Sequence, residues 1–199
     1  MSVERSTGPR IAPVSPPYPA ALEAQLSRWM PPGSPIDPLL LFRTLAIHDE
    51  LFSRMRPIGS GLLNHGRIDP RRREIVILRT CARAGAGYEW GVHVTSFAAR
   101  VGLNQDEIQA SATGTVHHPA WSHSATDQLM VELADELHET CTVSDRLWSL
   151  LSAEFAADEL LELVILAGWY RLLSGVINAT RVQPEPWAAR FPARERADG

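Results

Sequence analysis

The 199 residues suit a single domain, and a composition of 45% hydrophobic and 21% charged residues is enough to bury a core. A net charge of −4, from 19 basic and 23 acidic side chains without a basic stripe, argues against a nucleic-acid footprint. Cys81 and Cys141 stand far apart and outside any CxxC, the usage of a reduced cytoplasmic protein with two buried structural thiols.

Residues 1–19 carry five prolines and read as an extended arm, and the opening MSVERSTGPRIAPVSPP lacks the apolar stretch of a secretory signal. A first helix is expected over Tyr18 to Met30, stopped by Pro31-Pro32-Gly33. Asp37-Pro38 opens a second by the cap-plus-proline signal, with Leu41, Leu45, His48 and Phe52 on one face. On that face His48 reads as a hydrogen-bonded packing residue. Gly59-Ser60-Gly61 and Gly66-Arg67-Ile68 bracket a short element.

Asp69-Pro70 repeats the start signal for a buried helix through about Arg83, whose Arg71-Arg72-Arg73 run is a solvated helix start or an intersubunit ion-pair site. Gly85-Ala86-Gly87 breaks it. The next helix runs from about Tyr88 to Val101 and ends on Gly102 as a left-handed cap. Asn104, Ser124, Ser144 and Asp158 are read as caps of the four helices that follow, the last running to about Thr180. His117, His118 and His123 fall in an exposed polar loop. No paired strands are signalled, so the expected fold is all-α, with one domain over residues 20–183 and a C-terminal tail over 184–199. The stretch Leu160 to Ala179 is interrupted by Glu162 and Arg171 and reads poorly as a membrane span. Being apolar nearly all round, it belongs in a core or at a subunit interface, with Trp169 and Tyr170 as core or interface aromatics.

Glu89 and His93 stand one turn apart on one helix face, where a carboxylate raises and orients an imidazole. Tyr88 and Trp90 flank them as aromatic walls for a substrate. Glu74 lies 19 positions before His93, and a hairpin at Gly85-Gly87 would return it towards the pair. The spacing by itself also fits an ordinary half-buried pair. Asp135-x-x-His138 has metal-ligand spacing but stands alone, so no metal site is expected.

From Arg73 to Ile108 the chain carries RE-x-x-ILR, a small-residue turn, YEW-x-x-H, then A-x-x-x-GL-x-x-x-EI. This resembles the carboxymuconolactone decarboxylase family of the alkylhydroperoxidase-like superfamily. The resemblance implies an alkylhydroperoxidase-like helical bundle, a cofactor-free acid/base site of Glu74, Glu89 and His93, and a homo-oligomer, trimer or hexamer. It implies a small-molecule substrate, a lactone or oxo-acid, and a carboxy-lyase reaction without nucleic-acid or membrane partners. Peroxidase relatives carry a CxxC where this chain has Ala86 and Glu89, which removes the thiol pair their chemistry needs. A peroxidase-like role through Cys81, or a non-catalytic oligomeric binding protein, are the alternatives.

Overall fold

The computed structural model describes residues 8–192, and among these every regular element is helical. The helices are α1 Ala20–Trp29, α2 Leu40–Leu45, α3 Asp49–Asn64, α4 Pro70–Arg83, α5 Gly87–Ser96, α6 Gln105–Thr113, α7 Ala125–Thr140, α8 Asp145–Glu154 and α9 Ala157–Thr180. Short 3-10 turns follow α5 (Ala98–Val101) and precede α7 (Pro119–Trp121).

The centre of the bundle is α4. Eight consecutive residues, Glu74 to Cys81, are buried, so the helix presents no wet face along its middle and packs against α5, α6, α7 and α9. Asp69 starts it, its carboxylate accepting from the Arg71 and Arg72 amides, and Pro70 occupies the first helical position. Against α4 lies α9, with Leu163, Leu166, Tyr170, Leu173 and Ile177 facing inward. This helix is long and apolar enough to cross a membrane by length and composition, yet half of its most apolar window is buried inside the chain, as in a core helix. Leu161, Ile165 and Leu172 remain exposed on its other side. A smaller cluster of Leu26, Ala46 and Phe52 joins α1 to α3, with Trp29 stacked on Phe52 at 4.8 Å.

Three expectations change near the N-terminus. Asp37-Pro38 does not open a helix: α2 begins two residues later, after Leu39. The supposed face Leu41–Phe52 is divided between α2 and α3, because His48 turns the chain and caps α3 through Nδ1, which accepts from the Leu51 amide at 3.3 Å. His48 is therefore an exposed cap and not a packing residue. Gly59-Ser60-Gly61 does not punctuate either; α3 runs through it, and Gly59 lets the Trp169 ring approach to 3.3 Å of where a Cβ would stand. Further on, α5 stops at Ser96 and gives way to the 3-10 turn, while α9 starts after Ala156, ahead of Asp158. Cys81 is buried as expected, but Cys141 is exposed in the left-handed cap of α7.

The segment 184–192 is docked. The Glu185 carboxylate is buried and accepts from the Leu40 amide and from the Tyr88 hydroxyl, each at 2.6 Å. The Ala189 amide donates to Thr95 Oγ1 at 2.9 Å, and Phe191 packs on Trp90 with ring centres 5.1 Å apart. Glycines on α5 make this approach possible: a Cβ at Gly91 would stand 2.0 Å from the Ala189 carbonyl oxygen, and one at Gly87 would stand 2.8 Å from the Phe191 ring. Gly91→Ala is expected to displace the segment, since backbone cannot yield as a side chain does, and to cost about 1–3 kcal/mol. Faster limited proteolysis after Arg190 in the variant is the measurement that checks it, and an unchanged cleavage rate would contradict the contact.

Candidate active site

The site is assembled by the turn between α4 and α5. Gly85 adopts a left-handed φ of 66°, and the Ala86 amide reaches back to the Cys81 carbonyl at 2.8 Å, which closes the end of α4 and reverses the chain. Glu74 on α4 thereby faces His93 on α5. His93 Nδ1 donates to Glu74 Oε1 at 2.9 Å, with Oε2 at 3.2 Å. On the other edge of the ring, Nε2 lies 3.6 Å from Glu89 Oε1, an ion-pair distance longer than a hydrogen bond. All three residues are at most 6% exposed. The imidazole thus sits between two carboxylates, one bonded and one facing it. Glu89 Oε2 is buried and makes no hydrogen bond.

Burial by itself would push the imidazole down, but the charge and hydrogen bond of Glu74, supplemented by Glu89, outweigh it and push His93 up to about 10. Around neutrality the ring is therefore a buried imidazolium that holds a proton on Nε2 towards Glu89. Tyr170 from α9 stands edge-on to the ring at 5.1 Å and 88°, and Phe97 lies at 5.0 Å. Burial, with Glu89 and Glu74 beside it, holds the Tyr170 phenol well above its ordinary range, so it stays neutral. Cys81 is also part of these surroundings, close to Ser174; burial first and then Glu89 push its thiol well up, against thiolate formation.

Of the residues expected to wall the site, neither aromatic side chain is directed at the imidazole. The Tyr88 hydroxyl is engaged by Glu185 and by the Leu41 amide at 3.0 Å. Trp90 Nε1 donates to Ser111 Oγ at 3.0 Å, and its ring meets Phe191. The rings that do flank His93 come from Phe97, which caps the end of α5, and from Tyr170 on a helix remote in sequence. Tyr170 carried only a core signal in the sequence; Phe97, four residues after His93, was legible from the helical period.

A second polar cluster joins the starts of α4, α6 and α7. Ligand atoms of Glu107, His123 and Asp127 lie within 4.8 Å of one another. The Arg71 guanidinium already occupies their centre: its Nε donates to Asp127 at 3.0 Å, and it also bonds Glu107 and the Gly102 carbonyl. This is an arginine-neutralised knot that ties three helix starts together. Of the loop histidines, His118 accepts from the Ala120 amide at 3.2 Å. Asp135 holds Arg79 through both oxygens, at 2.6 and 2.7 Å, leaving His138 to pack near Arg171.

Comparison with known proteins places this arrangement first in a fold class. The chain is similar to an uncharacterized peroxidase-related protein from Silicibacter sp. TM1040, with a TM-score of 0.74 at 11% identity over 92% of this chain and 96% of that one. It is also similar to a protein of unknown function from Agrobacterium tumefaciens, described as a candidate antioxidant defence protein AhpD, with a TM-score of 0.62 at 16% identity over 71% and 95% of the two chains. At such identities the likeness is one of fold. Residues 49–123, a segment that contains Glu74, Glu89 and His93, match the Carboxymuconolactone decarboxylase family. No curated protein matches the sequence.

Proposed function

We propose that the protein is a cofactor-free acid/base enzyme acting on a small lactone or oxo-acid, by decarboxylation or by a related proton transfer. The observation that carries this reading is the buried line Glu74–His93–Glu89 ending in a carboxylate oxygen without a partner. A carboxylate bound to one side of an imidazole and an acceptor on the other is the arrangement of a proton donor whose orientation is fixed.

On a carboxylated butenolide the step is balanced without a cofactor. The bond to the carboxylate carbon breaks, carbon dioxide leaves, and the electron pair enters the conjugated lactone as a dienolate. His93 Nε2 then supplies the proton to carbon. Glu74 acts as the positioning residue, holding the ring by Nδ1, and Glu89 faces the proton that moves. The imidazolium also places positive charge beside the developing oxyanion.

The peroxidase reading has a specific observation to weigh, since Cys81 lies within the same polar nest. The raised thiol and the distance in sequence to the exposed Cys141 count against it, because peroxide reduction needs a thiolate and a resolving partner. Carbon dioxide release from butenolide carboxylates, measured beside peroxide turnover in wild type and Cys81→Ser, tests the proposal. Decarboxylation that survives in Cys81→Ser supports it. Peroxide turnover lost in that variant, without any decarboxylation in wild type, would replace it with thiol chemistry.

We further propose a homo-oligomer, a trimer or hexamer, in which the exposed Leu161, Ile165 and Leu172 of α9 are covered by a second copy. Light scattering at micromolar concentration is expected to give a multiple of the 22.0 kDa chain mass. A monomeric mass would contradict it.

A further inference from the structure

Glu74, His93 and Glu89 are 2%, 3% and 6% exposed, and Tyr170 beside them is 2% exposed. A small molecule reaches His93 Nε2 only if something around it moves. Two of the surrounding helices are fixed by their own burial: α4 is buried over eight consecutive residues, and the 24-residue α9 packs against it. The ten-residue α5 is shorter, and its outer side is covered by the segment 185–191.

That segment touches α5 along one stripe. Phe191 lies over Gly87, Ala188 and Ala189 lie over Gly91, and the Ala189 amide donates to Thr95. Positions 87, 91 and 95 share a helix face, as do 89 and 93, and the two faces stand about 200° apart around the axis. The segment therefore presses on the back of the helix whose front carries Glu89 and His93. It also grips both neighbours of Glu89. The Tyr88 hydroxyl donates to the buried Glu185 carboxylate at 2.6 Å, and the Trp90 ring packs on Phe191 at 5.1 Å. Glu185 accepts from the Leu40 amide as well, which ties the segment to α2. Between these anchors Pro186 and Arg190 are exposed, and Ala189 and Phe191 are half-buried, the character of a segment that opens ahead of global unfolding.

We propose that residues 185–191 are a releasable strap that holds the first turn of α5 closed over the Glu74–His93–Glu89 site, and that undocking of the strap admits the substrate. This rests on the acid/base reading above and adds how that site is reached. Tyr88 and Trp90 are the points by which the strap grips the helix. Once it lets go, the turn that carries Glu89 moves without breaking a hydrogen bond of Glu89 Oε2, which makes none, while His93 stays bonded to Glu74. Redocking restores the line before chemistry, as a lid does.

Cys81 reports the opening. It is fully buried on α4, its carbonyl accepts from the Ala86 amide at the start of α5, and in Cys141→Ser it is the one thiol of the chain. The test is labelling of Cys81 by N-ethylmaleimide in the full-length Cys141→Ser parent, read by mass at one pH and in urea below the unfolding transition. The parent is expected to label faster than its global unfolding allows, with little dependence on urea. Glu185→Ala is expected to label about 10–100-fold faster, the size of hydrogen bonds lost to a charged group. Phe191→Ala is expected to label about 3–10-fold faster, the size of one aromatic contact. Leu26→Ala, in the cluster that joins α1 to α3, should label as the parent does in dilute buffer. A parent that labels only through global unfolding overturns the proposal. So does either folded strap variant labelling at the parent's rate, or Leu26→Ala labelling as fast as they do. If Glu185→Ala does not fold, Phe191→Ala carries the same comparison. The two readings fail separately. Labelling at the parent's rate beside an inactive His93→Ala removes only the strap; strap-dependent labelling beside a fully active His93→Ala removes the acid/base reading and leaves the strap standing.

Discussion

His93→Ala is expected to lower turnover of a butenolide carboxylate by roughly 10²–10⁴-fold, the usual range for a positioned acid or base. The ring stands between the two carboxylates, at 2.9 Å from Glu74 and 3.6 Å from Glu89. As a donor, His93 works below its titration and fails above it, so the alkaline limb of the wild-type pH profile should follow an imidazole held at about 10. Glu89→Gln removes part of what raises it, and that limb should move to lower pH. Glu74→Gln should move it further, because Glu74 makes the largest raising contribution. Cys81→Ser should leave the profile in place. A pH–rate series on these four variants decides the matter: full activity in His93→Ala would end the proton-donor assignment.

The second large effect is on stability. Glu74→Gln leaves a buried imidazolium without its bonded counter-charge, and breaking a buried pair in this way costs on the order of 3 kcal/mol near neutrality. The direction with pH follows from linkage. His93 is raised from 6.5 to about 10 on folding, so its contribution is fully present below 6.5 and is lost as pH climbs through about 10. The gap between wild type and Glu74→Gln in urea denaturation should accordingly be nearly full at neutral pH and narrow as the pH climbs through about 10. A gap that stayed constant from neutrality to alkali would mean that the pair contributes packing and not charge.

Much of this arrangement was readable because it is local. The Asp69-Pro70 start of α4, the glycine turn and the i, i+4 spacing of Glu89 and His93 are each written within a few residues, and the turn brings Glu74 back to the pair. Helix starts at Asn104, Ser124 and Ser144 were legible for the same reason, as their side chains accept from the amide three residues ahead. What escaped depends on distant partners. Tyr170 and His93 meet only because α9 packs beside α4. Tyr88 faces Glu185, 97 positions away, a contact for which PEPWAARFP has no periodic signal. His48 deceived for another reason: an imidazole at helical spacing from leucines looks like a packing residue, while its own nitrogen can cap the next helix. The run through Gly59-Ser60-Gly61 shows tertiary packing on Trp169 prevailing over the weak helical preference of glycine.

The docking of residues 185–191 bears on the order in which the chain can complete itself. The Leu40–Glu185, Tyr88–Glu185 and Thr95–Ala189 bonds span 145, 97 and 94 positions. Such closures come late, since long loops must be ordered before their contacts repay the entropy. During synthesis, α5 emerges with Glu89 and His93 already in register, but its outer side waits uncovered until residues 185–191 have left the ribosome. A chain cut before Glu185 would retain every member of the Glu–His–Glu line and keep the Leu41–Tyr88 bond between α2 and the helix bearing it, but lose the carboxylate that holds Leu40 and Tyr88 together.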